Sequence, residues 1–272
     1  MQDKSALGRA LAMVRDLRAR CAWDRVQTRE TLRPYLVEEV LELDQALAAS
    51  DPALIRDELG DFLLHLAWQL VLGEERGEFT PDDVAETMER KMKRRHPHLF
   101  DIGPPEPWER LKRRERSGGT LGQLPAGMPD LLRAYRLQER AASVGFDWPD
   151  ARGPLEKVRE ELAEVESELG GLPRGAAEEG VRRNGPDAEA DRLADEIGDL
   201  LFAVVNLARK AGVQPGPALD RANAKFRERF EAMERLAASR GLDVHALGLE
   251  ALDALWDEVK AADGPATPGG RR

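Results

Sequence analysis

Acidic residues in the second half of the chain have a spacing that suits metal binding. Glu160, Glu161 and Glu164 lie in one helix-like segment, and Glu196 and Asp199 lie in the next. Residues three apart on a helix have Cβ atoms roughly 5 to 6 Å apart, so Glu161 with Glu164, and Glu196 with Asp199, can each converge on one point. Carboxylates held this close disfavour ionisation unless a cation neutralises them. The pattern predicts a site for a divalent cation. Magnesium is the expected ion, and manganese would also fit.

A single acidic cluster is more often an ordinary solvated helix face, because glutamate is common there. The surrounding sequence favours a site instead. The segments that follow Asp61 and Asp199 are apolar nearly all round, which predicts buried helices whose acids need a partner. Gly60 and Gly198 stand at equivalent places in these segments, which favours close approach by another group. His65, in the first of these segments, is predicted to be a satisfied core histidine.

The first half of the chain repeats these signals in the same order, which strengthens the case for a site. Its acids form a second possible metal site, made of Glu38, Glu39, Glu42, Glu58 and Asp61. Ordered repetition of this kind indicates two similar units. Abundant Leu, Ala, Glu and Arg, with few Ile and Thr, favour helices over strands. We therefore predict an all-α protein with two tandem helical-bundle domains.

Glycine and proline residues mark the predicted boundaries of the domains and helices. A Gly- and Pro-bearing segment separates the halves, so the domains are expected at residues 1–116 and 130–263, with a linker at 117–129 and a disordered tail at 264–272. Helices are expected over 81–95 and 217–239, and another from about residue 191. A surface loop is expected at 170–187, because this stretch has no apolar period.

Charge and composition exclude several classes of protein. The chain has 51 acids against 41 bases, a net charge of −10, which disfavours nucleic acid as a partner. Cys21 is the single cysteine, so no internal disulfide can form, as suits a reducing compartment. The apolar runs are too short to cross a bilayer. These features predict a cytoplasmic protein that does not enter a membrane.

Basic residues form the second part of the expected site. Lys225 and Arg229 are four apart on one helical segment, and Trp256 and Lys260 have the same spacing. Cations beside a metal site indicate a strongly anionic ligand such as a polyphosphate, and an indole can pack against a base or sugar. An ion-paired helix surface explains Lys225 and Arg229 equally well, and core packing explains Trp256.

Several motifs together resemble the MazG family of nucleoside triphosphate pyrophosphohydrolases, in its two-domain bacterial form. They are Cys21-Ala22-Trp23-Asp24, Arg95-His96-Pro97-His98-Leu99-Phe100, Val144-Gly145-Phe146-Asp147-Trp148 and the segment around Trp256. The resemblance implies the all-α nucleoside triphosphate pyrophosphatase fold, usually as a homodimer. It implies hydrolysis of a nucleoside triphosphate to the monophosphate and pyrophosphate with magnesium.

The same resemblance implies roles for individual residues. Glu161, Glu164, Glu196 and Asp199 would be metal ligands, and Glu160 would position water or a second ion. Contacts with the phosphates would come from Lys157, Lys225, Arg229 and Lys260, and contacts with the nucleoside from Trp256. The expected reaction is attack by water, oriented by Glu160 or activated by the metal, on a phosphorus of the α-β linkage, with no covalent intermediate.

The two halves are not equally equipped for this reaction. The first half has Tyr35 where the second has Lys157, and Leu54 where it has Arg192. It also has Glu89 opposite Asn223, and we count Arg192 and Asn223 among the substrate-binding residues. Because phosphate affinity depends on such contacts, we expect residues 130–263 to carry most of the activity and the first half to be weak or structural.

Two other functions remain open on the sequence. A non-catalytic helical scaffold would explain the helices, although not paired acids on buried helices. A metal-dependent hydrolase of another phosphorylated nucleotide, such as an alarmone or phosphoribosyl-ATP, would use the same residue types. The products formed from each nucleotide distinguish these possibilities.

Overall fold

The computed structural model describes residues 5–115, 118–170 and 188–262, and within these ranges the regular secondary structure is entirely helical. The first half contains α1 (Ala6–Arg20), α2 (Ala22–Arg25), α3 (Arg29–Ala49), α4 (Pro52–Glu75), α5 (Pro81–Arg95), a 3-10 turn (Pro97–Leu99) and α6 (Trp108–Glu115). The second half contains α7 (Asp130–Ala142), α8 (Arg152–Gly170), α9 (Ala188–Lys210), α10 (Pro215–Ser239) and α11 (Leu249–Ala262). The all-α prediction is confirmed.

Capping residues explain where the helices of the first half begin. The side chain of Thr28 caps α3 and that of Thr80 caps α5, each through reciprocal bonds with the third helical residue. Asp51 caps α4 by accepting a hydrogen bond from the backbone N of Ala53 at 2.8 Å. Ser50, at φ 56°, turns the chain between α3 and α4. The helix predicted over 81–95 is confirmed, because α5 begins at Pro81 and ends at Arg95.

The chain divides into two compact units, Met1–Glu115 and Arg116–Arg272. In the first unit, α4 packs against both α1 and α3. The core lies along the second half of α4 and contains Leu11, Val14, Leu32, Trp68 and Val71. Glu58 and Asp61, in the first half of α4, therefore lie outside this core.

The second unit is organised around the packed helices α8 and α9. On α7, Gln138 donates a hydrogen bond from Nε2 to the carbonyl O of Phe202 at 2.8 Å, which fixes α7 against α9. A separate core joins α10 and α11 through Met233, Ala237, Leu255 and Val259. Helices α9 and α10 begin at Ala188 and Pro215, slightly before the predicted residues 191 and 217.

The prediction that α9 is buried nearly all round is wrong within the single chain. Ala203 and Val205 are buried, but Ile197, Leu201 and Phe202 are exposed by 41, 55 and 44%. The reason is that α7 and α8 cover part of α9 and leave an apolar face open. For α4, the corresponding prediction holds only from Ala67 onward, where the core begins.

Several predicted boundaries fall partly or wholly outside the described residues. Of the predicted loop at 170–187, only Gly170 is described, and it ends α8. The predicted tail at 264–272 lies entirely outside the described residues. The described helices include none that is long and apolar enough to span a bilayer.

An ion-paired anchor fixes the loop before α8 to the end of α9. Asp147 accepts hydrogen bonds from Arg209, and Lys210 Nζ lies 3.1 Å from Asp147 Oδ2. Lys210 also donates to the carbonyl O of Trp148 at 2.6 Å. The side chains of Arg209, Lys210 and Asp147 are only 12, 16 and 22% exposed. The bonds from Arg209, followed by those from Lys210, hold the pKa of Asp147 below its ordinary value.

Replacing this aspartate should destabilise the second unit. We expect Asp147→Ala to lower the free energy of unfolding near pH 7 by about 1 to 3 kcal/mol, because two largely buried cations lose their acceptor. Since the native pKa of Asp147 is lowered, its stabilisation is present above the unfolded pKa of about 3.9 and is lost as pH falls through the native pKa. Urea unfolding followed by circular dichroism at several pH values measures both effects.

The control is Asp130→Ala, since Asp130 is 95% exposed beside Arg133. This change should alter the unfolding free energy by at most about 0.5 kcal/mol. Equal losses in the two variants would contradict the role of the anchor.

Candidate metal centre

Three of the four predicted metal ligands of the second half come together between α8 and α9. One carboxylate oxygen from each of Glu161, Glu164 and Glu196 lies within 4.8 Å of the others. Glu161 and Glu164 are one turn apart on α8, and α9 brings Glu196 to them because the two helices pack together. Glu161 is buried, Glu196 is half-buried and Glu164 is exposed, so the group opens to solvent on one side.

The remaining two predicted acids, Asp199 and Glu160, are not members of this group. Asp199 is exposed on α9 and is not one of the three converging carboxylates. Glu160 has a side chain that is 59% exposed and accepts a hydrogen bond from Lys157 Nζ at 2.7 Å. Glu160 is therefore beside the cluster and accessible to water.

Lys157 compensates part of the negative charge of this cluster. Its Nζ lies 2.7 Å from Glu161 Oε1 as well as 2.7 Å from Glu160 Oε1. These hydrogen bonds raise the pKa of Lys157, and the bond from Lys157 lowers the pKa of Glu161. The pKa of Glu164 is raised instead, first by its hydrogen bond with Glu161, then by burial and by the charges of Glu161 and Glu196. The carboxylates thus attract both an ammonium group and a proton.

The first half has an equivalent group between α3 and α4. It contains Glu39, Glu58 and Asp61, again with one oxygen each within 4.8 Å, while Glu38 and Glu42 lie outside it. Burial is the largest cause of the raised pKa of both Glu39 and Glu58. Nearby acids add to it, chiefly Asp61 for Glu39 and Glu42 for Glu58. The charge here is therefore less well compensated than around Glu161.

His65 lies against this first-half group. Its Nε2 is 3.9 Å from Glu39 Oε1, and burial lowers the pKa of the imidazole. In the described part of the chain, its buried Nδ1 has no hydrogen-bond partner. His65 is thus a core residue as predicted, but the prediction that it is satisfied is wrong.

The two helical glycines have a simpler environment than the sequence indicated. Among the described residues, a Cβ atom added at Gly60 or Gly198 would meet nothing within 4 Å. The prediction of a close approach at these positions is therefore wrong within the chain.

The predicted substrate-binding residues occupy several helices of the second unit. Asn223 and Lys225 are exposed on α10, and Arg229 is half-buried one turn further along. Arg192 on α9 and Lys260 on α11 form other ion pairs: Arg192 Nε lies 3.2 Å from Glu168 Oε2, and Lys260 Nζ lies 3.1 Å from Asp257 Oδ1. Lys157, by contrast, contacts the group directly.

Trp256 has an aromatic neighbour that the sequence analysis did not predict. Its ring centroid lies 5.3 Å from that of Phe226, which stacks in turn on Phe230 at 6.0 Å. Phe226 is 59% exposed. The i,i+4 spacing of the two phenylalanines, beside Lys225 and Arg229, was the available signal.

In the repeat, Trp108 of the first half corresponds to Trp256, and it is 41% exposed with other side chains beside its ring. The Arg95 guanidinium lies 5.0 Å from the Trp108 ring, and the His96 ring lies 5.5 Å from it. Arg95, the counterpart of Arg229, also donates from Nε to Glu115 Oε2 at 3.1 Å. Arg95 therefore has internal partners, while Trp108 keeps an exposed surface.

Comparison with known proteins identifies the family. Residues 27–100 match the family model of the MazG nucleotide pyrophosphohydrolase domain. The chain is 39% identical over 250 residues to the nucleoside triphosphate pyrophosphohydrolase/pyrophosphatase MazG of Thermotoga maritima, covering 89% of this chain and 90% of that protein. It is 37% identical over 258 residues to the nucleoside triphosphate pyrophosphohydrolase of Escherichia coli, covering 91% and 93% respectively. A Mycobacterium tuberculosis protein of the same name is 33% identical over 146 residues, which are 50% of this chain and 45% of that protein. The resemblance inferred from the motifs is confirmed, and the chain belongs to the MazG family.

Proposed function

We propose that the protein is an enzyme that hydrolyses nucleoside triphosphates to the monophosphate and pyrophosphate, using a divalent metal ion held by Glu161, Glu164 and Glu196. The observation that carries this proposal is the convergence of three carboxylate oxygens within 4.8 Å between α8 and α9. Relatives that span nine-tenths of the chain are named for this activity, which supports the same reaction here.

The donor set of this cluster fits a hard divalent cation. It offers carboxylate oxygens alone, which suit magnesium and also manganese. The contact between Lys157 Nζ and Glu161 supports the fit, because it illustrates that the cluster attracts positive charge. We propose magnesium as the ion, with Asp199 as a fourth ligand from α9.

The residues around this cluster have distinct proposed roles in the reaction. When bound, the metal would act as a Lewis acid toward the phosphate oxygens. Glu160, exposed beside the cluster, orients a water and accepts its proton as the water oxygen bonds to a phosphorus of the α-β linkage. The bridging P–O bond breaks, which separates the nucleoside monophosphate from pyrophosphate.

Basic and aromatic residues hold the substrate in this proposal. Charge on the phosphates and on the leaving pyrophosphate is neutralised by Lys157, Arg192, Lys225, Arg229 and Lys260. Asn223 adds a polar contact with the substrate. The nucleoside packs against Trp256, whose neighbour Phe226 extends the aromatic surface.

The first half is proposed to be weak or structural. Its acids, Glu38, Glu39, Glu42, Glu58 and Asp61, form a second possible metal site, and three of them converge. The first half has Tyr35 and Leu54 where the second has Lys157 and Arg192, however, so it offers fewer cations to a triphosphate. Residues 130–263 therefore carry the main activity in this proposal.

Substitution of the acids tests the assignment of the two halves. The double variant Glu161→Gln, Glu164→Gln should lose at least about 100-fold in turnover, since metal catalysis contributes several kcal/mol. The matched variant Glu39→Gln, Glu42→Gln should keep most of it. Release of pyrophosphate and orthophosphate is measured with magnesium and each ribo- and deoxynucleoside triphosphate.

The products also decide between this function and its rivals. Pyrophosphate release from these triphosphates supports the proposal. Absence of turnover with all of them favours a scaffold, and activity only on an alarmone or phosphoribosyl-ATP favours a different hydrolase. Greater loss in the Glu39, Glu42 variant would contradict the assignment of the active half.

We further propose that the protein forms a homodimer through the open apolar faces of α8 and α9. Leu162 and Leu169 of α8 are 45 and 50% exposed, and Leu201 and Phe202 of α9 are 55 and 44% exposed. Burying such surface contributes about 25 cal/mol per Å². The net charge of −10 supports the absence of a nucleic-acid partner, and a cytoplasmic location remains part of the proposal.

A charge placed on this face should dissociate the dimer. Sedimentation velocity of Leu201→Lys is expected to give the monomer mass under conditions where the wild type gives twice that mass, because the lysine would be buried unpaired. Leu249→Lys is the control, since Leu249 is 83% exposed at the start of α11. A wild-type chain that sediments as a monomer would refute the homodimer.

A further inference from the structure

Lys157 occupies an unusual place among the basic residues of the second unit. Its Nζ lies 2.7 Å from Oε1 of Glu161, which is one of the three converging carboxylates. The same Nζ lies 2.7 Å from Oε1 of Glu160. The ammonium group is therefore in direct contact with a proposed metal ligand, and not only near the expected path of the phosphates.

Helix geometry fixes this contact. Lys157 and Glu161 are four residues apart on α8, so their side chains lie on one helical face. The Glu161 side chain is 7% exposed, whereas that of Lys157 is 41% exposed. The carboxylate is therefore held in place, and the lysine side chain has room to turn toward solvent.

We propose that Lys157 is a built-in counter-ion that competes with the metal for Glu161, and that metal binding releases its ammonium group to the triphosphate. This inference rests on the proposed function, because it requires Glu161 to be a metal ligand. Two cations that contact the same carboxylate repel each other, so binding of one favours withdrawal of the other. The released lysine remains on α8, within reach of an anion bound beside the cluster.

The first half has the acids but not this counter-ion. Tyr35 stands four residues before Glu39, as Lys157 stands before Glu161. The Tyr35 ring packs edge-on against Trp23 at 6.4 Å. A metal at Glu39, Glu58 and Asp61 would have no lysine to displace from α3. The two groups therefore differ in how metal binding is linked to phosphate binding.

This exchange links the metal to the substrate in the second half. Metal binding makes the ammonium group of Lys157 available to phosphate and so raises the affinity for phosphate. Phosphate that holds this ammonium group away from Glu161 raises the affinity for the metal by the same factor. Without nucleotide, Lys157 should weaken metal binding. A lysine that served only the phosphates would leave the metal affinity unchanged.

The test is a nucleotide-free titration with Mn²⁺, in which free Mn²⁺ is measured by electron paramagnetic resonance. The full chain carries Glu39→Gln and Asp61→Asn, so that the second-half cluster is observed alone. In this background Lys157→Met should bind Mn²⁺ about three- to tenfold more tightly, as expected for loss of a partly exposed competing charge.

Two further variants distinguish the counter-ion from a general charge effect. Lys157→Arg keeps the positive charge and should stay within about twofold of the background chain. Lys260→Met removes a base that pairs with Asp257 outside the cluster, and should also stay within about twofold. If Lys157→Met does not fold, as judged by circular dichroism, Lys157→Gln carries the same expectation.

The outcomes separate this inference from the proposed function. Unchanged or weaker Mn²⁺ binding by Lys157→Met, in a chain that binds Mn²⁺, overturns the counter-ion role and leaves the metal centre standing. A background chain that binds no Mn²⁺ overturns the metal centre, and with it both proposals. Tighter binding by Lys260→Met to the same extent also overturns a specific role for Lys157.

Discussion

Electrostatic repulsion among Glu161, Glu164 and Glu196 is the constraint on which the functional part of the second unit depends. Packing of α8 against α9 brings these carboxylates within 4.8 Å. Three negative charges at this distance are tolerated only with compensation, and the described structure provides it through Lys157 and through the raised pKa of Glu164. A divalent cation would satisfy the same requirement more fully, which connects the helix packing to the proposed chemistry.

The two halves meet this constraint differently although their acids are similar. Around Glu39 the raised pKa values of Glu39 and Glu58 favour protonation, and His65, whose pKa is lowered by burial, supplies little positive charge. The aromatic and basic residues that accompany the first cluster are in contact with one another, as Arg95 and Trp108 illustrate. Both halves thus have the acidic helices but differ in the surrounding bases. This difference supports the proposal that the second half carries most of the activity.

The sequence predicted those features that depend on local spacing. Thr80 and Pro81 mark the start of α5, and the i,i+3 acids of α8 converge, because neighbours on one helix are fixed by its period. The sequence did not predict that Asp199 lies outside the converging group, since this depends on the rotation of α9 against α8. It also could not distinguish a core from an open apolar face, so the exposure of Leu201 and Phe202 was missed.

The most direct test of the central claim is anomalous diffraction from crystals of the protein grown with Mn²⁺. A metal centre at this site predicts an anomalous peak between α8 and α9, about 2.0 to 2.3 Å from oxygens of Glu161, Glu164 and Glu196, with Lys157 turned away from Glu161. Crystals that contain Mn²⁺ elsewhere, or none, while Lys157 still contacts Glu161, would contradict it.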